Sequence, residues 1–408
     1  MRKRLNVDTL GFTILLGALC ALPPMSIDMP LPALPQIARS FNTSLDAAAL
    51  TLSLFIAGFS CAQLLFGPIS DRYGRRPTLL FGCGLFTLAS IACAVAPSIE
   101  ILLLARIFPG CGAGAAVSMA FAMVRDCFEG AKARTRLSYV SMIISLAPIA
   151  APAFGAMIVS HWPWRVVYAV LAGAGALLET IAFLFLAESL KNRAARPLTL
   201  ARVVAHYGLV FRTPASLSYV LIYAFNFACL FAYVTGSAFL MTHIFGLSPA
   251  AYSAAFACAG VGITLGAFTN SRLILKNFSP RLPLTMGVVG VFCASVLLLI
   301  FFMTGTVRLE LFLPVLVSAT FSYGLVAPNA AHGALRPFPD LAGVASASLS
   351  CVQMAVASAA SALVSRLNDG TTPLAMILVM LACSSISAGV YFFFAAGEDA
   401  LADHKKSI

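Results

Sequence analysis

Residues 46–96 read DAAALTLSLFIAGFSCAQLLFGPISDRYGRRPTLLFGCGLFTLASIACAVA, two long apolar runs joined by a short segment dense in charge and glycine. A helix needs about twenty apolar residues to cross a ~30 Å hydrocarbon core. The runs at 46–67 and 78–96 meet that length, and working outward, others recur at 9–31, 99–123, 137–159, 165–187, 213–241, 250–269, 282–304, 309–331, 341–365 and 373–396. The reading is an all-α membrane protein of twelve spans. Residues 1–187 form one six-helix bundle, 188–212 a connecting loop, and 213–408 a second six-helix bundle.

Composition excludes the main rivals to a membrane location. The chain has 408 residues, of which 60% are hydrophobic and 10% charged, whereas a soluble domain carries about a quarter charged residues to cover its surface. The net charge of +11 raises the question of nucleic acid, which the positions of the bases answer. With both termini inside, 21 of the 26 Lys and Arg fall in cytoplasmic segments, as the positive-inside rule requires. They are spread over seven short segments and form no basic domain. The eleven cysteines stand singly with no CxxC or Cys/His spacing, so they read as small buried hydrophobes, and no metal site or cofactor is expected. The basic start and first apolar run read as a retained helix rather than a cleaved signal. In the connecting loop, Leu200, Val203, Val204, Tyr207 and Phe211 recur at helical spacing. That fits a short helix on the inner surface or a plain tether.

The segment GPISDRYGRRPTLL places Gly67, Asp71, Arg72, Gly74, Arg75 and Arg76 in a tight turn between the second and third spans. Glycine permits such a turn and close helix approach, and Asp71 can bind arginines or a helix N-terminus. A loop that only marks topology needs bases, but not this acid or these glycines. A degenerate copy lies 199 residues on, with Gly266 and Asn270 at the places of Gly67 and Asp71 and with Arg272 and Lys276 nearby.

Within the spans, Arg106 is the most informative residue. An arginine at the centre of a membrane helix costs about 2.5–3.5 kcal/mol on insertion scales, so a cavity location and an anionic partner are expected. It precedes Gly110, Gly112 and Gly114, whose spacing suits close helix contact in lipid. In SLAPIAAPAFGAMI, Pro148, Pro152 and Gly155 would bend the fifth span. Asp28 stands before a proline run near the outer end of the first span, Glu179 lies in the sixth, and Asn226, Phe231 and Tyr233 in the seventh could line a cavity.

The loop pattern G-x-x-x-D-R-x-G-R-R resembles the loop 2–3 motif of the major facilitator superfamily. LLLARIFPGCGAGAAVSMA is similar to the fourth-helix arginine motif of that family's drug/proton antiporters, and SLAPIAAPAFGAMI matches their fifth-helix motif in part. PPMSIDMPLPALP, VRDCFEG, FAYVTGSAF, VAPNAAHGAL and GVASASLSCVQM together resemble the Bcr/CflA subgroup of multidrug exporters over nearly the whole chain. The resemblance implies alternating access around a midplane cavity and proton-coupled export of amphipathic drugs. It also implies a monomer in a bacterial inner membrane, powered by the proton gradient without a cofactor. Asp71, Arg75 and Asp126 would form a cytoplasmic latch. Asp28 and Arg106 would be the coupling site, with Glu179 as the alternative acid. Two rivals stay open: a carrier of one sugar, amine or organic acid, and a membrane-embedded enzyme or receptor.

Overall fold

The computed structural model describes residues 7, 9–128, 130–190, 208, 212–338 and 342–395. The expected helix at 200–211 and both charged tails lie outside the described residues. The chain divides into two compact units, Met1–Val203 and Val204–Ile408.

In the first unit the helices are α1 (Leu10–Asp28), α2 (Leu34–Ser40), α3 (Leu45–Tyr73), α4 (Arg75–Ala94), α5 (Ile99–Cys127), α6 (Gly130–His161) and α7 (Arg165–Phe185). In the second they are α8 (Pro214–Phe239), α9 (Pro249–Leu275), α10 (Arg281–Met303), α11 (Leu309–Leu335), α12 (Ala342–Leu367) and α13 (Leu374–Val390). Among the described residues, twelve segments are long and apolar enough to cross a membrane, and all regular structure is helical. Serine starts several of them: Ser44 accepts the Ala47 N–H and Ser98 the Ile101 N–H, which satisfies amides that have no partner one turn earlier. Asp46 and Glu100 stand in the first turns of the same helices, where the helix dipole favours a negative charge.

Packing repeats between the units. In the first, α3 lies on α5, α4 on α5, α4 on α7, and α1 on α6. In the second, α9 lies on α11, α10 on α11, α10 on α13, and α8 on α12, which is the same order six spans later. Lipid tails are as apolar as leucine, so helices gain little from mere apolar contact and associate where small residues let backbones approach. A Cβ on Gly110 would collide with the Phe55 carbonyl oxygen, so α3 and α5 can cross only with glycine there. Gly112 abuts Gly82 and Phe86 on α4, Gly114 abuts Phe59 and Ala62 on α3, and Gly155 of α6 abuts the Met29 carbonyl.

Several features differ from the expectation, beginning with where the helices end. The first span continues past Asp28 through a 3₁₀ turn (Leu31–Ala33) and α2, giving one apolar stretch over Leu10–Ser40. Asp28 therefore stands twelve residues before the end of the span, well short of its edge. Helices α3 and α4 both run into the charged segment, so the turn is Gly74 alone, at φ 107°. Gly67 is helical, and a Cβ there would meet nothing within 4 Å, so close approach does not explain it. Pro148 and Pro152 lie inside an α6 that is continuous from Gly130 to His161. Cys61, Cys258 and Cys293 are exposed rather than buried, because the lipid-facing sides of spans are as apolar as the core.

Gly110→Val should lower the stability of the detergent-solubilised protein by about 1–3 kcal/mol, as forced overpacking does. Gly67→Ala should leave it unchanged. Thermal unfolding followed by a thiol-reactive dye on the buried cysteines compares the two.

Candidate functional site

Two polar constellations stand at opposite ends of the α3–α5 crossing. At the end carrying the Gly74 turn, Arg75 is shared by two acids. Its Nη1 lies 2.6 Å from Asp71 Oδ1 on α3, and its Nε donates to Asp126 Oδ2 on α5 at 3.0 Å. Arg75 also donates to the Ser70 hydroxyl, and Ser189 donates to Asp126 Oδ2 at 3.1 Å. The Arg75 side chain is 13% exposed and that of Asp71 51%, so the Asp71 pair is open to screening while the Asp126 pair is more enclosed. Three helices are thereby tied through one guanidinium. Arg72 and Arg76 lie apart from these pairs. The first stacks over its neighbour Tyr73, and the second donates to the Phe183 carbonyl at 2.7 Å.

At the other end Arg106 is 1% exposed. Its Nη1 donates to Ser26 Oγ at 3.0 Å, Nη2 to the Ser26 carbonyl at 2.9 Å, and Nε to the Thr51 carbonyl at 3.2 Å. The rings of Phe55 and Tyr168 lie 4.6 and 5.4 Å from its guanidinium carbon. The expected pair with Asp28 is absent: among the described residues no carboxylate is ion-paired to Arg106. Sequence explains the substitution. The Ser26 carbonyl would normally receive the N–H of residue 30, which is a proline and has none. A carbonyl orphaned in a membrane span needs an internal donor, and Arg106 supplies it.

Asp28, 6% exposed, ends α1 two residues beyond Ser26. Glu179 belongs elsewhere. It is eleven residues beyond Tyr168 on α7, about 16 Å at helical rise, and its carboxylate lies against Gly84 of α4. In the second unit, Asn226 and Tyr233 line one cavity of about 10 Å³ with Thr320 and Tyr323, room for about one water. The Asn226 amide donates to the Ile222 carbonyl and to Ser387, while its Oδ1 is buried without a partner. Phe231 is outside that lining and packs on Phe227 with ring centroids 4.7 Å apart. Asn270 accepts from Asn329 Nδ2 at 2.6 Å, joining α9 to α11.

Sequence reading did not single out Ser26, Thr51, Ser70, Glu188, Ser189 or Asn329 as site residues. Ser26 was findable from the proline four residues on. Ser189 and Glu188 were not, because their partners lie 63 to 113 residues away in the chain.

Comparison with known proteins agrees with this architecture. Residues 14–362 match the sequence profile of the Major Facilitator Superfamily. The chain is 28% identical over 391 residues to a bicyclomycin resistance protein homolog of Haemophilus influenzae, covering 95% of this chain and 96% of that one. It is 30% identical over 387 residues to the multidrug resistance protein MdtL of Escherichia coli O45:K1, covering 95% and 96%. A crystal structure of a POT family transporter in complex with 5-aminolevulinic acid superposes with a TM-score of 0.76 at 13% identity, over 96% and 98% of the two chains.

Arg106→Lys should destabilise the protein by roughly 2 kcal/mol, since an ammonium cannot serve acceptors on two helices while lying over two rings. Ser26→Ala removes the hydroxyl but keeps the carbonyl contact, so its cost should be nearer ~1 kcal/mol. Equal losses in thermal unfolding would contradict this assignment of partners.

Proposed function

Because the chain belongs to the Major Facilitator Superfamily and is a multi-pass membrane transporter, we propose that it exports drugs or similar small amphipathic compounds in exchange for protons. The observation that carries this reading is likeness to resistance proteins over 95% of the chain and 96% of each relative. Export direction and drug class come from that likeness. The rarity of intramembrane charge supports it, since a mainly apolar cavity accepts varied ligands better than a dedicated polar one. A carrier of one metabolite remains the second reading, and Asn226 with its unpartnered Oδ1 is the feature that favours it.

The driving force is the proton gradient, with no cofactor. For one proton against a neutral substrate, 100 mV provides ~2.3 kcal/mol, enough for roughly a fifty-fold gradient. The protein works as a monomer in the bacterial cytoplasmic membrane by alternating access. Asp71, Arg75 and Asp126 act as the cytoplasmic latch, because one guanidinium shared by acids on two helices can hold one state and release it. Asp28 is the coupling acid. Its buried place on the span that carries Ser26 puts a titratable group beside the arginine's anchor. Protonation there and ligand binding compete for the same stretch of α1, without a direct Asp28–Arg106 pair. Glu179 is the alternative acid.

In proteoliposomes with an imposed pH gradient, Asp28→Asn should abolish drug-dependent proton movement while drug binding persists. Wild-type proton release from this variant would move the assignment to Glu179. Both termini and the central connection are assigned to the cytoplasm from the basic residues. Single cysteines at Ala195→Cys and His404→Cys, in a background without native cysteines, should therefore resist an impermeant thiol reagent added to intact cells. Labelling from outside would invert the topology.

A further inference from the structure

Glu188 lies three residues beyond the end of α7. Its Oε1 accepts the backbone N–H of Arg75 at 3.0 Å, and its Oε2 that of Arg76 at 3.3 Å. The same Oε1 accepts the N–H groups of Ser189 and Leu190 at 3.0 and 3.1 Å. Arg75 and Arg76 open α4, where amides have no carbonyl one turn earlier and the helix dipole is positive. Four N–H donors from two separate segments thus meet on one carboxylate.

Further contacts bind the same two segments. Ser189 donates to Asp126 Oδ2, the oxygen that also takes Arg75 Nε. Arg76 reaches the other way, to the Phe183 carbonyl at 2.7 Å, with its guanidinium carbon 5.6 Å from the Phe183 ring. Gly74 leaves the room required. A Cβ there would strike Glu188 Oε2, and φ 107° is a conformation that other residues rarely adopt.

We propose that Glu188 is a positioning residue of the transport cycle, a strap that fixes the first turn of α4 so that Arg75 is presented to Asp71 and Asp126. This rests on the reading of those three residues as a latch. The carboxylate holds the backbone of Arg75, and its neighbour Ser189 holds Asp126, so both partners of the enclosed ion pair are gripped by adjacent residues of one segment. That segment opens the connection to the second unit. Loosening Glu188 therefore loosens the ion pair.

A plain helix cap would act only on the first turn of α4, which separates the two roles. The full chain in nanodiscs is compared as wild type, Glu188→Ala, Glu188→Gln and Glu188→Asp by amide hydrogen exchange. Glu188→Ala should accelerate exchange roughly tenfold at 75–78 and also at 122–127, the end of α5 that carries Asp126. Glu188→Gln should show a smaller effect at both places, and Glu188→Asp should restore part of the protection. Acceleration confined to 75–78, or none at all, overturns the proposal. In proteoliposomes with an ethidium gradient and an imposed pH difference, the Vmax of Glu188→Ala should fall about tenfold with KM within about twofold. A wild-type Vmax also overturns it. If the wild type moves no ethidium, drug export is the reading at fault, and the exchange pattern still decides the role of Glu188.

Discussion

The crossing of α3 and α5 is the constraint on which the first unit depends. In lipid, packing and interhelical hydrogen bonds draw helices together, and small residues let two backbones come this close. Gly58 abuts Ile107, Gly110 abuts Phe55, and Gly114 abuts Phe59, so the register of the two helices is set over the middle of the span. That register places Thr51 beside Arg106 at one end and, through Arg75, Asp71 beside Asp126 at the other. Twenty residues separate Thr51 from Asp71, and twenty separate Arg106 from Asp126, a helical rise of about 30 Å on each helix. A slip of one helix past the other would break both constellations together. The buried arginine and the charged turn are two ends of one packed pair.

The second unit repeats the geometry and changes the chemistry. Helices α9 and α11 cross on Gly262, Gly266 and Gly324, each placed where a Cβ would meet the facing helix. At the end corresponding to the charged turn stands a neutral hydrogen bond, donated by the Asn329 side-chain amide to that of Asn270. An ion pair with a half-exposed acid is weakened by salt, while a neutral amide pair has no charge to screen. The backbone approach is therefore what the repeat retains, while the ion pairs found among the described residues lie in the first unit.

Twelve spans are legible because an apolar run of twenty residues has few other uses. Their ends are less so. Asp71, Arg76 and Asp126 are helical although charged, since a helix continues beyond the apolar core wherever its backbone bonds can be made. Cys61, Cys258 and Cys293 show a related limit, for apolar surroundings in the sequence do not distinguish a core from a lipid-facing side. Asp71 and Arg75 stand out by charge and spacing, and Asp126 through the resemblance of its segment to the family. Glu188 does not, because its partners are backbone amides, which every residue carries.

Arg106 shows the same blindness to backbone and what corrects it. An arginine among apolar residues suggests a carboxylate partner, yet carbonyl oxygens carry enough partial charge to satisfy N–H donors, and prolines decide which carbonyls are free. Pro30 frees the carbonyl of Ser26, and Pro32 frees that of Asp28. The proline run and the distant arginine thus form one device, in which a break in α1 supplies acceptors that a straight helix would have consumed. With carbonyls and a hydroxyl as its partners, the guanidinium is held without an ion-paired carboxylate among the described residues. The anchor of Arg106 thus rests on Ser26 and Thr51 and needs no contact with Asp28.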